Sequence, residues 1–312
     1  MTGVVTVTLN AAVDQTLDVP GFTAGAVNRA LSETRTAGGK GINVAAFLSG
    51  GPAPVTAIGF LGADNTAVFE TLFRDRRIAD RCLRVPGSSR TNVKVVDREG
   101  GSVTDINLPG PRIPDTAWRA LLDGLDELGA LNGVFVLAGS VPAGLTDSAY
   151  AEIIPVLRRH GAFVTLDASG APLRHAMAAK PDMIKPNAHE LSELLGRPLG
   201  GRDDVTAAAR ELAAQGVALV VVSLGADGAV FVERGRALHA QPPRVEVAST
   251  VGAGDAMVAG VLAARLAGGD LEDCARRGTA YAAGTLSLLG PELPPPPRIA
   301  ELMAGVRIEA IE

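Results

Sequence analysis

The chain is expected to fold as an α/β protein whose mostly parallel central sheet is covered by helices on both faces, with a small β-sheet lid appended. Two patterns lead to this. In the later half, short unbroken apolar runs end in turns of Gly, Ser or Asp and pass into helical stretches, as in "GVFVLAGSVP", "AFVTLDASG", "DMIKPNAHE" and "ALVVVSLGADG". Strands without alternation are buried on both sides, as when helices lie above and below a parallel sheet. Residues 88–108, "SSRTNVKVVDREGGSVTDINL", alternate instead and fold back at "DREGG", the mark of an antiparallel hairpin.

Along the chain, "VVTVTLN" is rich in β-branched residues and reads as a strand, and "GKGINVAAFLSG" reads as a turn leading into a helix. The hairpin needs partner strands, expected near residues 15–30. The lid is therefore assigned to about 12–30 and 88–109, within a single domain spanning 1–312. In "STVGAGDAMVAG" a glycine turn precedes Val258, Leu262, Arg265 and Leu266, whose spacing sets a helical period. The proline-stiffened "GPELPPPPR" then leads to a short last helix.

A chain of 312 residues with 47 % apolar residues can bury a large core, and with aromatics at 4 %, Ala, Val and Leu must fill it. The net charge of −5 and the pI near 5.5 argue against nucleic acid, and leave an anionic substrate to a local cluster of Arg and Lys. Cys82 and Cys274 are spaced neither as a zinc pair nor as a CxxC motif, and read as reduced thiols of a cytoplasmic protein. The opening stretch lacks a basic segment and no apolar run reaches about 18 residues, so neither a signal peptide nor a membrane span is expected.

Ligands of open parallel sheets bind beyond the carboxyl ends of the strands. Polar residues gather at those ends here: Asn10 and Asp14 after the first strand, Ser140 after "VFVLAG", Lys185 and Asn187 after "DMI", and Ser223, Gly225 and Gly228 after "ALVVV". "TAGGKGIN" could cradle an anion on glycine amides or be a plain flexible turn; it fits neither the P-loop nor the dinucleotide fingerprint. Arg90, Asn92 and Lys94 share one face of the hairpin, as a solvated edge or as a phosphate clamp. Asn187, three residues before Glu190, has the spacing of a helix cap and also that of two oxygens holding water around magnesium.

Asp255 follows two glycines at a helix start, where backbone amides and the positive helix end favour developing negative charge. It reads either as a cap or as a base beside an anion hole. The same helix dipole is expected to lower its pKa and leave it a weak base, which phosphoryl transfer tolerates because positioning and charge stabilisation matter most.

Together these stretches resemble the ribokinase-like (PfkB) family of carbohydrate kinases over nearly the whole chain. "AGGKGINVA" (37–45) and "STVGAGDAMVAG" (249–260) carry the likeness, with "KPN", Glu190 and "SLGADGA" (223–229) between them in the family's order. Within the family, "TLNAAVD", "AVNR", "GFLGADN", "RTNVKV" and "TDINLPGP" are most similar to the 1-phosphofructokinases. The tagatose-6-phosphate kinases share "VNR" and "TAGGKG"; the minor 6-phosphofructokinases share the late motifs and Arg90.

The resemblance implies a ribokinase-like three-layer sandwich and transfer of the ATP γ-phosphoryl group to the 6-hydroxyl of fructose 1-phosphate. It implies Asp255 as base, with Gly252, Ala253 and Gly254 as the anion hole. Asp14, Gly38, Gly39, Lys40, Asn43 and Ser140 would hold the sugar, and Arg90, Asn92, Lys94 and Arg29 would line the phosphate end. Lys185, Asn187, Ser223, Gly225, Gly228 and Thr250 would line the nucleotide side, with Glu190 orienting hydrated Mg2+. ATP and Mg2+ are the implied cofactors, a monovalent cation such as K+ stays open, and the lid is expected to pair with its twin in a homodimer. Two departures stand out: Ala11 where many relatives have Pro, and Ala256 where Ser is common. The rival from another class is a non-catalytic sugar-phosphate or nucleotide sensor on the same fold.

Overall fold

The structure, a computed structural model, describes residues 3–288 and 290–312; Met1 and Thr2, the first residues of the opening stretch, lie outside the described residues. Eleven strands form one sheet. From one edge they run Arg307–Ile311, Arg236–Gln241, Ala229–Glu233, Leu219–Ser223, Met183–Ile184, Phe163–Asp167, Val134–Ala138, Val4–Thr8, Val55–Gly62 and Ala79–Asp80. Leu83–Val85 pairs with the far end of Val55–Gly62. Pairing is parallel from Ala79–Asp80 through Leu219–Ser223 and antiparallel across the last three strands.

The unbroken apolar runs are buried on both sides, as expected. Val4, Val136 and Ala138 pack with helices Lys40–Leu48, Ala67–Arg76, Ala253–Leu266, Leu271–Leu286 and Pro296–Gly305. Val5, Val7, Phe135 and Leu137 pack on the other face with helices Asp115–Gly129, Ala149–Arg158, Gly170–Met177, Ala188–Leu195 and Arg202–Ala214. This is the three-layer α/β sandwich. The three antiparallel edge strands were not anticipated; "GPELPPPPR" does lead to a helix, but Arg307–Ile311 follows it and returns to the sheet.

A separate four-stranded sheet has the order Ser32–Gly38, Ala12–Asp18, Arg90–Asp97, Ser102–Asn107. The hairpin folds back where expected, with Asp97 accepting the amides of Gly21, Phe22, Glu99 and Gly100 at its turn. One partner differs from expectation: residues 19–31 form a loop, and the outer strand is Ser32–Gly38. "SETRTAG" has no apolar alternation because its first five residues are exposed, so no period-2 pattern betrays it.

Sheet topology places the site. Val4–Thr8 has Val55–Gly62 on one side and Val134–Ala138 on the other, so strand order reverses at Val4–Thr8 and a crevice opens beyond its carboxyl end. Close pairing there requires glycine: Gly59 has φ +144°, and a Cβ on it would overlap the Thr8 carbonyl.

Candidate active site

Gly252 opens helix Ala253–Leu266 with φ +80°, a left-handed turn that glycine adopts at little cost. The amides of the following first turn have no intrahelical acceptor and are free for an anion. Asp255 lies in this turn and is 6 % exposed. Its Oδ2 accepts a hydrogen bond from Asn43 Nδ2 at 2.8 Å, which brings together the starts of helices Ala253–Leu266 and Lys40–Leu48.

Burial pushes the Asp255 carboxyl up to about 7, with the nearby Asp167 charge adding to the rise; Asn43, Lys40 and Lys185 pull against it. The expectation that the helix dipole would leave Asp255 a weak base is therefore corrected. Desolvation of the carboxylate is the largest influence, and the group is poised to accept a proton near neutral pH.

Asp167 ends strand Phe163–Asp167 and is 1 % exposed. Lys40 Nζ donates to its Oδ1 at 2.9 Å, and Lys185 Nζ stands 3.5 Å from its Oδ2, an ion pair at the outer limit of a hydrogen bond. Burial works against the Asp167 charge, but Lys185 and Lys40 outweigh it and hold its pKa below the usual carboxylate range. Burial likewise works against the Lys40 ammonium, and the Asp167 carboxylate overcomes it, raising the lysine pKa. Lys185 also borders the amide turn: a Cβ on Gly254 would stand 3.1 Å from its Nζ. Two ammonium groups and a row of amides thus surround one carboxylate that can take up a proton.

On the side of the four-stranded sheet, Asn92 Nδ2 donates to Asp14 Oδ1 at 2.8 Å across the paired strands Ala12–Asp18 and Arg90–Asp97. Burial raises the Asp14 pKa, opposed by the Asn92 bond and by the charges of Arg90 and Lys94. Arg90, Asn92 and Lys94 thus share the face that Asp14 addresses. Arg90 Nε approaches the Asn10 carbonyl at 3.4 Å, and Asn10 Nδ2 donates to Ser140 Oγ at 3.0 Å across the crevice. Gly38 packs so closely on Asp14 that a Cβ would overlap its carboxylate, and Gly39, at φ +114°, caps helix Lys40–Leu48.

On the far side, Asn187 and Glu190 form a reciprocal capping box: Glu190 N donates to Asn187 Oδ1 at 2.8 Å, and Asn187 N to Glu190 Oε2 at 2.9 Å. The Glu190 charge also acts on Lys40. Asn187, Ser223 and Gly225 line a cavity of about 610 Å³ with Arg202 and His239. Gly225 and Gly228 have φ +63° and +90° and shape the turn along its rim.

Residues 4–297 match the model of the pfkB family carbohydrate kinases. The chain belongs to this family. A 1-phosphofructokinase of Rhodobacter capsulatus is 49 % identical over 309 residues, covering 99 % of this chain and 98 % of the relative. One of Escherichia coli K12 is 39 % identical over 307 residues, covering 98 % of both chains. Among solved structures, phosphofructokinase-2 of Escherichia coli in complex with fructose-6-phosphate superposes with a TM-score of 0.90 at 27 % identity, covering 97 % of this chain and 99 % of that one.

In this pfkB-family kinase most of the expected residues lie at the carboxyl ends of the strands or on the turns and helix starts that follow them. Arg29 is the exception: it is exposed on the loop 19–31 of the four-stranded sheet, with no hydrogen bond or ion pair among the described residues. Thr250 is exposed just ahead of the amide turn. Sequence reasoning missed Asp167, although its signal was present: "AFVTLDASG" ends an apolar run on an acid, the position where the other candidates were found. Among the described residues, no helix is long and apolar enough to cross a membrane, and both cysteines are free and buried.

Proposed function

We propose that this kinase transfers the γ-phosphoryl group of ATP to the 6-hydroxyl of D-fructose 1-phosphate, giving D-fructose 1,6-bisphosphate and ADP. The observation that carries the reading is the buried Asp255 carboxylate, pushed up to about 7 beside free helix-start amides. A pure sensor has no use for a base so placed. The substrate follows from the relatives' shared name, 1-phosphofructokinase, together with the Arg90 and Lys94 face of the lid.

In this reading Asp14, Asn43 and Ser140 hold the sugar, with Gly38 and Gly39 shaping the wall and Arg90, Asn92 and Lys94 meeting its phosphate end. Asp255 accepts the 6-hydroxyl proton as that oxygen attacks the γ-phosphorus, and the β–γ bridging oxygen leaves on ADP. Amides of Gly252, Ala253 and Gly254, with Lys40 and Lys185, receive the charge of the migrating group. Ser223, Gly225 and Gly228 hold the nucleotide in the cavity beside Asn187.

Magnesium fits this chain as an ion carried on the nucleotide phosphates. Among the described residues no group of three or more His, Cys, Asp or Glu is arranged to hold a metal, and a hard cation brought in with ATP would take oxygen ligands. Glu190, partly exposed and close enough to act on Lys40, and Asn187 beside it would orient the ion's water. Bound there, the ion would supply neutralisation of phosphate charge. A K+ requirement, suggested by an Escherichia coli phosphofructokinase-2 structure in complex with potassium, belongs to the same reading. So does a homodimer through the lid, whose edge strand Ser102–Asn107 leaves Val103 at 56 % and Ile106 at 50 % exposed.

The test is kcat/KM for fructose 1-phosphate, fructose 6-phosphate and tagatose 6-phosphate with ATP. Fructose 1-phosphate is expected to lead. A clear preference for either other sugar would move the chain to another branch of the family while leaving the kinase chemistry intact.

A further inference from the structure

The strand Arg236–Gln241 places a histidine where apolar residues would serve the core: Leu238 and Ala240 flank His239, and all three are buried. Two hydrogen bonds account for it. His239 Nε2 stands 2.7 Å from the carbonyl oxygen of Asp227, and Arg202 Nη1 stands 3.1 Å from His239 Nδ1. A carbonyl only accepts and a guanidinium only donates, so Nε2 serves as the donor to Asp227 and Nδ1 as the acceptor from Arg202. Arg202 is held in turn by Glu309 Oε2 at 2.9 Å, on the edge strand Arg307–Ile311.

The far end of this chain of contacts is the turn at the rim of the cavity. Gly225–Asp227 is a single tight turn closed on itself, with Leu224 N donating to the Gly228 carbonyl at 2.8 Å and Gly228 N to the Gly225 carbonyl at 3.2 Å. Residues 225–227 are exposed, so local packing does little to fix them. The His239 bond anchors one end. At that same carboxyl end, Gly228 presses so closely on the strand carrying His239 that a Cβ would overlap the Ala240 carbonyl.

We propose that Arg202 and His239 brace the Gly225–Asp227 turn and thereby set this chain's affinity for the nucleotide. The proposal rests on the reading above that the nucleotide occupies the cavity lined by Ser223 and Gly225. His239 is a positioning residue: it acts through the Asp227 carbonyl and takes no part in proton transfer at Asp255.

Steady-state kinetics and calorimetric titration with ADP on the full chain test this. In His239→Ala and Arg202→Met, KM for ATP and Kd for ADP should rise about tenfold, the equivalent of one buried hydrogen bond of about 1.4 kcal/mol. Over the same comparison, kcat at saturating ATP and KM for fructose 1-phosphate should change by less than about twofold. His239→Gln, which keeps a donor for the Asp227 carbonyl, should recover most of the ADP affinity. Arg202 is 40 % exposed, so Arg202→Met keeps the test alive if His239→Ala fails to fold. Unchanged ADP affinity in Arg202→Met and in any folded His239 variant overturns the brace. So does an equal loss in kcat and in both KM values, which would indicate general disorder. Gly225→Val separates the two readings. If ADP binds this variant as it binds the parent, the nucleotide lies elsewhere and both fall; if Gly225→Val loses ADP while the brace variants keep it, only the brace falls.

Discussion

Asn43 Nδ2 donates to Asp255 Oδ2 at 2.8 Å, so one helix start holds the carboxylate of another, across 212 residues of sequence. The bond favours the ionised carboxylate and opposes the burial that raises its pKa. Asn43→Ala removes that opposition. The Asp255 pKa should then climb further above about 7, and the acidic limb of the kcat–pH profile should move to higher pH. At pH 7 the rate falls, and at pH 9 most of it returns. An acidic limb that stays in place would mean Asp255 is not the group that profile reports.

Asp255→Asn separates chemistry from binding. Losing the base should cost about 10²- to 10⁴-fold in kcat while ADP still binds. Stability should move the other way. A carboxyl whose folded pKa lies above its unfolded value binds protons more tightly when folded, so its favourable contribution is full below about 3.8 and is lost as pH rises through about 7. The asparagine does not titrate. The gain in Tm of Asp255→Asn over the parent should therefore be larger at pH 8 than at pH 5, and a gain equal at both would contradict the raised pKa.

Asp167 opposes Asn43 in its effect on the same group. Its charge raises the Asp255 pKa and occupies Lys40 and Lys185. With Asp167→Asn, the repulsion disappears and both ammonium groups are freed to favour ionised Asp255. The acidic limb should shift to lower pH, opposite to Asn43→Ala. Lys185, only 5 % exposed, then loses its counter-charge, a loss that for a buried pair costs on the order of 3 kcal/mol. Paired pH profiles of the two variants would reveal these opposite shifts, and the urea midpoint of Asp167→Asn would reveal the loss of stability.

The sequence made the helices and parallel strands legible because both faces of the sheet are buried, leaving uninterrupted apolar runs such as "ALVVVS". It concealed Ser32–Gly38 because a strand exposed over most of its length carries no alternation. Most candidate residues were legible from a polar side chain at the end of a strand, as with Ser140 and Lys185, although Asp167 in the same position was passed over. The charge state of Asp255 was not, because it depends on Asp167, Lys40 and Lys185 converging from separate elements. Spacing reports a helix start, and only packing reports how little water reaches it.

Gly38→Ala tests the sugar side without removing a charged group. A methyl at Gly38 would occupy the space of the Asp14 carboxylate, whose side chain can swing aside. Folding should therefore suffer little, while Asp14 loses its bond from Asn92 and its aim into the cleft. KM for fructose 1-phosphate should rise by about tenfold, the equivalent of one good polar contact, with KM for ATP nearly unchanged. Arg90→Ala should raise the same KM through the phosphate end, and inorganic phosphate should inhibit that variant less than the parent. Because Arg90 lowers the Asp14 pKa and Gly38 shapes its position, the two substitutions act on one network, and the double variant should lose less than the sum of the single losses. Full additivity would mean that Arg90 has no influence on how Asp14 meets the substrate.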